Sequence, residues 1–150
     1  MGVDIRQGAD GSLELVGDQD TTRNPTAGIG WVTATVGYNV PAADVSFFVA
    51  DRAYVVKAIR GVNDVIGTGG ACTAVIRKVP SGTALASGVL LHSGTYNLVG
   101  TAATNQIIAL VTGAAAPAAL LLAAGDRLAI DYTGTATSAI GCVTVTLAPA

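Results

Sequence analysis

The chain is short of charge. Only 12% of its 150 residues are Asp, Glu, Lys or Arg, where a typical soluble domain carries about 25%. Hydrophobic residues make up 51%, so a surface this poor in charge is expected to be covered by neighbours in an assembly. A single histidine, His92, and two cysteines, Cys72 and Cys142, are too few for a zinc set. A formal net charge of −2 leaves no basic stripe of the kind that grips nucleic-acid phosphate. The longest uncharged stretch, Ile107 to Ala124, contains Thr112, Gly113 and Pro117 and lacks flanking aromatic or basic anchors, so no membrane span is expected. Met1 is followed by polar and glycine-rich sequence where a basic and then an apolar region would mark an export signal, and none is predicted.

What is present is period-two patterning. In Leu120 to Pro149 an apolar run stops at Gly125-Asp126, re-enters as an alternating strand, turns through Thr133-Gly134-Thr135 and ends on a β-branched strand. From Trp31 onward, Val32, Ala34 and Val36 alternate with Trp31, Thr33 and Thr35. Further strands are expected at 45–50, 53–62, 71–79, near Val89, and at 96–99, 105–112, 120–123, 127–133 and 140–147. Within 53–62, Lys57 falls in phase with Val55 and Ile59, which points to a β-bulge. One stretch, Ala114 to Ala124, is compatible with a short helix whose first turn holds Pro117.

About nine or ten short strands with turn signals roughly every 8–12 residues predict an all-β fold: an antiparallel β-sandwich of the jelly-roll type, with an extended N-terminal arm. An immunoglobulin-like sandwich is the alternative, but Trp31 stands too early to be its core tryptophan. The domain division follows composition. Residues 31–150 form the sandwich and 1–30 an arm, with a small hairpin predicted around Asp10-Gly11. The arm holds Asp4, Asp10, Glu14, Asp18 and Asp20 against Arg6 and Arg23, a net −3 that leaves the rest of the chain at +1. An RNA-packaging arm would need the opposite sign.

The strands also place the thiols. Cys72 shares a face with Ala74 and Ile76, whereas Cys142 lies with Thr144 and Thr146 opposite Val143, Val145 and Leu147. One thiol belongs to the core and the other to the outer face, so the two are not expected to pair, as in a reduced cytoplasmic protein.

Catalytic equipment is not expected. His92, in Leu91-His92-Ser93-Gly94, reads as a solvent-facing turn residue without a nucleophile elbow. Asp126 and Asp131 are the one candidate carboxylate pair for glycoside hydrolysis. Asp126 is better explained as a turn cap, and Asp131 alternates with Leu128, Ile130 and Tyr132 and so should face solvent. Asp18-Gln19-Asp20 lacks the closing glutamate of a calcium loop, and Gly67-Thr68-Gly69-Gly70 lacks the lysine of a phosphate loop. No cofactor and no metal is therefore expected. Trp31, Tyr38, Tyr54, Tyr96, Tyr132, Phe47 and Phe48 are the aromatics available for a sugar platform, though most suit packing equally well. Arg52, Lys57, Arg60, Arg77 and Lys78 form either a solvated strand face or contacts to an acidic partner.

Three segments, VADRAYVVKAIRGV (49–62), AVIRKVPSGTALASG (74–88) and AAGDRLAIDYTGT (123–135), together with QGADGSLELVG (7–17), resemble tailed-bacteriophage virion proteins, in particular the jelly-roll decoration or cement proteins of phage capsids. The resemblance is one of texture and strand order and covers most of 45–148. It implies a non-enzymatic protein on the capsid exterior, made in the host bacterial cytoplasm. It further implies a homotrimer that bridges subunits of the major capsid protein and holds the shell against packaged DNA. The interface candidates are Arg6, Asp10, Glu14, Asp18, Asp20 and Arg23 in the arm, and Trp31, Arg77 and Lys78 in the sandwich. The alternative is a receptor- or glycan-binding tip domain of a phage tail or fibre protein.

Overall fold

The computed structural model describes residues 4–7, 13–16, 30–40 and 43–150, the first two segments as backbone strands. The chain divides into two compact units, 1–30 and 31–150. In the first, β1 (Asp4–Gln7) pairs antiparallel with β2 (Leu13–Val16), and Arg6 stands opposite Glu14 in register. The extended arm expected between this hairpin and the sandwich lies outside the described residues.

The described residues of the second unit hold ten strands: β3 (Val32–Asn39), β4 (Val45–Val49), β5 (Tyr54–Val65), β6 (Cys72–Val79), β7 (Val89–Leu90), β8 (Tyr96–Asn97), β9 (Gln106–Ile108), β10 (Leu121–Leu122), β11 (Arg127–Gly134) and β12 (Ile140–Pro149). They form two antiparallel sheets. Sheet I runs β10-β5-β12-β3, with β9 sharing the β10 side of β5; sheet II runs β4-β11-β6-β7, with β8 sharing the β7 side of β6. The order is that of a jelly roll, with β12 between β3 and β5 in sheet I and β11 between β4 and β6 in sheet II. Among the described residues the one α-helix, α1 (Ala116–Leu120), has Pro117 in its first turn.

Alternation dictates the core. Ala34, Val36, Val56, Ile59, Val143, Val145 and Leu147 point inward from sheet I onto Cys72, Ala74, Ile76, Leu128 and Ile130 of sheet II, and all are buried. Each fully buried Ile, Leu or Val contributes roughly 1.5–3 kcal/mol. Where alternation fails, the register shows why. Thr146 pairs with Ala58 and Leu147 with Val56, so Lys57 is the extra residue of a bulge in β5. A second shift leaves Asp64 unpaired between Asn63 and Val65, and a third leaves Phe47 between Ser46 and Phe48 in β4.

Two strand expectations were too long. The stretch 96–99 is a strand only at Tyr96–Asn97, and 105–112 only at Gln106–Ile108, with a single further bridge from Leu110 to His92. Beyond them the chain leaves the ladders to tie the sheets together. Leu91 N–H donates to Ile76 O at 3.1 Å, Val111 N–H to Leu91 O at 3.1 Å, and Ser93 N–H to Ala109 O at 2.9 Å. This flank of the sandwich is thus stitched from sheet II across to the continuation of β9.

His92 sits inside that stitch, which corrects its reading as a solvent-facing turn. It is 1% exposed, and its Nε2 accepts the Ile76 N–H at 2.9 Å. Burial lowers its pKa below the ordinary value, the nearby Arg77 guanidinium acting in the same direction against the Ser93 backbone. The imidazole is therefore a neutral structural acceptor in place of a backbone ladder bond.

Candidate interaction face

The outer face of sheet I follows from register. The side chains that alternate away from the core line up in four rows across the strands. Gly37, Cys142 and Val62 form one row. Thr35, Thr144, Arg60 and Ile107 form the next, then Thr33, Thr146 and Ala58. At the far end Val55 lies beside Leu121, and Trp31 precedes Val32 on the same face as Thr33 and Thr35. Ile107 is 79% exposed and Trp31 67%, the two most exposed large apolar side chains among the described residues. The Thr35 and Thr144 hydroxyls meet at 3.1 Å, which uses their polarity within the face. Charge is confined to β5, at Lys57 and Arg60, with Asp64 towards one end. A shallow recess of about 280 Å³ lies in the middle of this face, lined by Arg60, Gly61, Val62, Asn105, Cys142 and Thr144.

The five basic side chains read from the strands separate into two groups. Arg77 and Lys78 are engaged within the chain. The Arg77 Nε donates to Asp131 Oδ2 at 2.8 Å and its Nη1 to Gly88 O at 3.0 Å. Asp131 is only 15% exposed, so its expected solvent-facing position is corrected. It stands diagonally across the ladder from Arg77, which draws the carboxylate down onto the sheet. The Lys78 Nζ reaches Ala118 O at 2.6 Å and Leu121 O at 2.9 Å, closing the C-terminal end of α1. Arg52 pairs with its neighbour Asp51 at 3.1 Å in solvent. Lys57 and Arg60 remain, and among the described residues neither meets a carboxylate.

Of the arm candidates, Arg6 and Glu14 are register partners in β1 and β2, while Asp10, Asp18, Asp20 and Arg23 lie outside the described residues. Asp126 behaves as the expected turn cap, its Oδ2 accepting Ala123 N–H at 2.9 Å. Cys72 is buried, Cys142 half-buried on the outer face, and both thiols are free.

The polar centre that sequence reasoning missed is Asn63. It is fully buried where β5 faces β8 of the other sheet. Its Oδ1 accepts from the Tyr38 hydroxyl and, at 3.0 Å, from the Tyr96 hydroxyl; its Nδ2 donates to Asn97 O at 3.1 Å and Thr101 O at 3.3 Å. Tyr38 stacks edge-on against Tyr96 and Tyr132, with both centroid separations 6.4 Å. Burial raises the pKa of Tyr38 and Tyr96 and pushes Tyr132 up to about 12, so all three stay protonated. Two strand glycines make room for the rings. A Cβ on Gly61 would lie 2.6 Å from the Tyr96 ring, and one on Gly141 would overlap the Val62 carbonyl and the Tyr38 hydroxyl. Of the tyrosines offered for a sugar platform, Tyr38, Tyr54 and Tyr96 are thus buried in the core and Tyr132 packs half-buried against it. Trp31 alone of that set is well exposed.

Among the described residues no three His, Cys, Asp or Glu side chains come together to hold a metal ion. No described helix is long and apolar enough to cross a membrane. No protein-family profile matches the chain, and no curated protein matches it. Solved structures that are similar to it include the "Structure of infectious bursal disease virus Gx strain", at 15% identity and TM-score 0.39, covering 78% of this chain and 31% of that one. Another is the "Crystal structure of infectious bursal disease virus VP2 subviral particle", at 14% identity and TM-score 0.30, covering 77% and 30%. The chain spans under a third of the length of these structures, and at such values its fold rests on its own strand order.

Proposed function

We propose that this chain is a structural protein of a virion. In this reading it acts as a homotrimer that decorates a phage capsid and bridges major capsid protein subunits, and it performs no catalysis. The observation that carries the reading is the outer face of sheet I, four strands wide, rich in threonine and exposed apolar side chains, with cationic charge only at Lys57 and Arg60. A face of this composition loses less solvation when covered, because the Thr35 and Thr144 hydroxyls already bond each other. Exposed apolar patches of this sort mark interaction surfaces on soluble proteins. Lys57 and Arg60 supply register against an acidic stretch of the underlying shell, and the recess beside Arg60 receives one of its side chains. Weak contacts repeated by each protomer of an oligomer add up through effective concentration. The arm residues Arg6, Asp10, Glu14, Asp18, Asp20 and Arg23 add a second point of contact.

The test is electron microscopy of the native particle together with binding of the purified protein to expanded heads. Density of this sandwich on the capsid exterior, with sheet I inward, is expected, and Arg60→Glu should abolish binding while leaving the melting temperature unchanged. A protein that leaves expanded heads bare, or one whose Arg60→Glu variant binds as before, contradicts the reading. The exposure of Trp31 favours one rival, a glycan-binding tip domain. Glycan-array binding that Trp31→Ala removes would support that rival instead.

A further inference from the structure

The edges of the sandwich are unequal. On the stitched flank, sheet I ends in β9 and β10, of three and two residues, and sheet II in β7 and β8, of two each. On the other flank β4 has five residues and is interrupted by the bulge at Phe47. Short and bulged edges are how β proteins avoid pairing with other chains. β3 has no such device. It pairs with β12 over eight residues without a register shift, contains no charge and no proline, and no described strand lies on its far side. Among the described residues no backbone bond outside the β12 ladder engages Val32 to Asn39.

We propose that the outer edge of β3, unpaired among the described residues, pairs with β3 of a second copy of this chain, antiparallel and about a two-fold axis. Such a contact is isologous, so the strand meets itself. A charge near the middle of the strand would then face its own copy, and VTATVGYN has none. Its Val and Thr residues are the β-branched types that pair well across strands, at about 0.2–1 kcal/mol a pair. The side chains on the outer face, Thr33, Thr35 and Gly37, are small enough to let two sheets continue flat into one another. The pairing joins two threonine-rich outer faces into a single surface of twice the width. It needs only the chain itself, and so stands or falls separately from the virion reading.

The experiment measures the mass of the full-length protein by light scattering or native mass spectrometry, alongside residue-resolved hydrogen exchange of β3. The wild-type particle should contain twice as many chains as the Thr35→Lys variant, which brings two ammonium groups together across the axis; Thr35→Val should keep the wild-type mass. In the wild type both alternate sets of β3 amides should exchange slowly, and in Thr35→Lys one set should become at least about 100-fold faster. If Thr35→Lys fails to fold, the wild-type exchange pattern and mass decide alone. An unchanged mass in a folded Thr35→Lys overturns the proposal, as does one fast set of amides in the wild type. A single-chain mass with both sets slow also overturns it, by assigning the edge to the chain's own first 29 residues.

Discussion

Replacing Asn63 with alanine tests whether the tyrosine–asparagine centre holds the two sheets together. The substitution removes four hydrogen bonds, two accepted by Oδ1 from Tyr38 and Tyr96 and two donated by Nδ2 to Asn97 O and Thr101 O. The Tyr38 hydroxyl keeps a partner, since the Val62 carbonyl is 2.9 Å away. The Tyr96 hydroxyl can turn to the Tyr38 oxygen at 3.2 Å and the Thr101 carbonyl keeps Gln106 Nε2 at 3.3 Å, so the Asn97 carbonyl alone goes uncompensated. That loss and the cavity left by the amide together cost about 2 kcal/mol, which for a sandwich of this size lowers the melting temperature by about 8 °C. Tyr96→Phe removes one hydroxyl from the same acceptor and should cost about 1 kcal/mol. The two substitutions share a bond, so a double-mutant cycle from urea unfolding should show coupling of about 1 kcal/mol. An Asn63→Ala cost below about 0.5 kcal/mol, or strict additivity with Tyr96→Phe, would refute the assignment of Asn63 as the inter-sheet tie.

Three further outcomes follow from the same geometry. His92 has a folded-state pKa below its ordinary 6.5. As pH falls through about 6.5 the unfolded chain binds the proton and the folded one resists it, so stability is full above that pH and declines below it by up to about 1.4 kcal/mol per pH unit. Melting curves at pH 7.5 and 5.5 should show this decline, and His92→Gln should flatten it; equal slopes in the two proteins would count against a neutral buried imidazole. Gly141→Ala places a methyl group on the Val62 carbonyl and the Tyr38 hydroxyl, so it should cost about 3 kcal/mol or more in denaturant unfolding, and a wild-type midpoint would show that the strands can shift. In native protein a maleimide reagent should label Cys142, on the outer face, while Cys72, buried and with its thiol pKa raised by that burial, reacts only after unfolding. Equal labelling of both would mean that the sandwich opens.

The virion resemblance and the interaction face bear on each other without being the same argument. The resemblance arose from three segments that the structure distributes over β5, β6 and β11, whereas the face is assembled from β3, β12, β5 and β9. Arg77 and Lys78, read as contacts for an acidic partner, direct their charge into the chain. Lys57 and Arg60, identical to them in sequence terms, direct theirs out. Nothing in the local pattern separates these pairs, because each charge is assigned by what the neighbouring strand presents.

The sequence alone determined the features that depend on neighbours one or two residues away. Alternation placed the strands and the opposite faces of Cys72 and Cys142, since successive Cβ atoms must point to opposite sides of a sheet. The broken phase at Lys57 located a bulge, and Gly125-Asp126 a capped turn. Tertiary structure decided everything that needed a partner from afar. His92 is buried because the Ile76 N–H, 16 residues away, needs an acceptor. Asp131 is drawn in by Arg77 at a separation of 54 residues. Asn63 became the polar centre because Tyr38 and Tyr96, 25 and 33 residues distant, converge on its carbonyl oxygen. Periodicity is a local steric property and can be read along the chain; hydrogen-bond satisfaction in a buried site is a property of strand order, and only the folded sandwich supplies it.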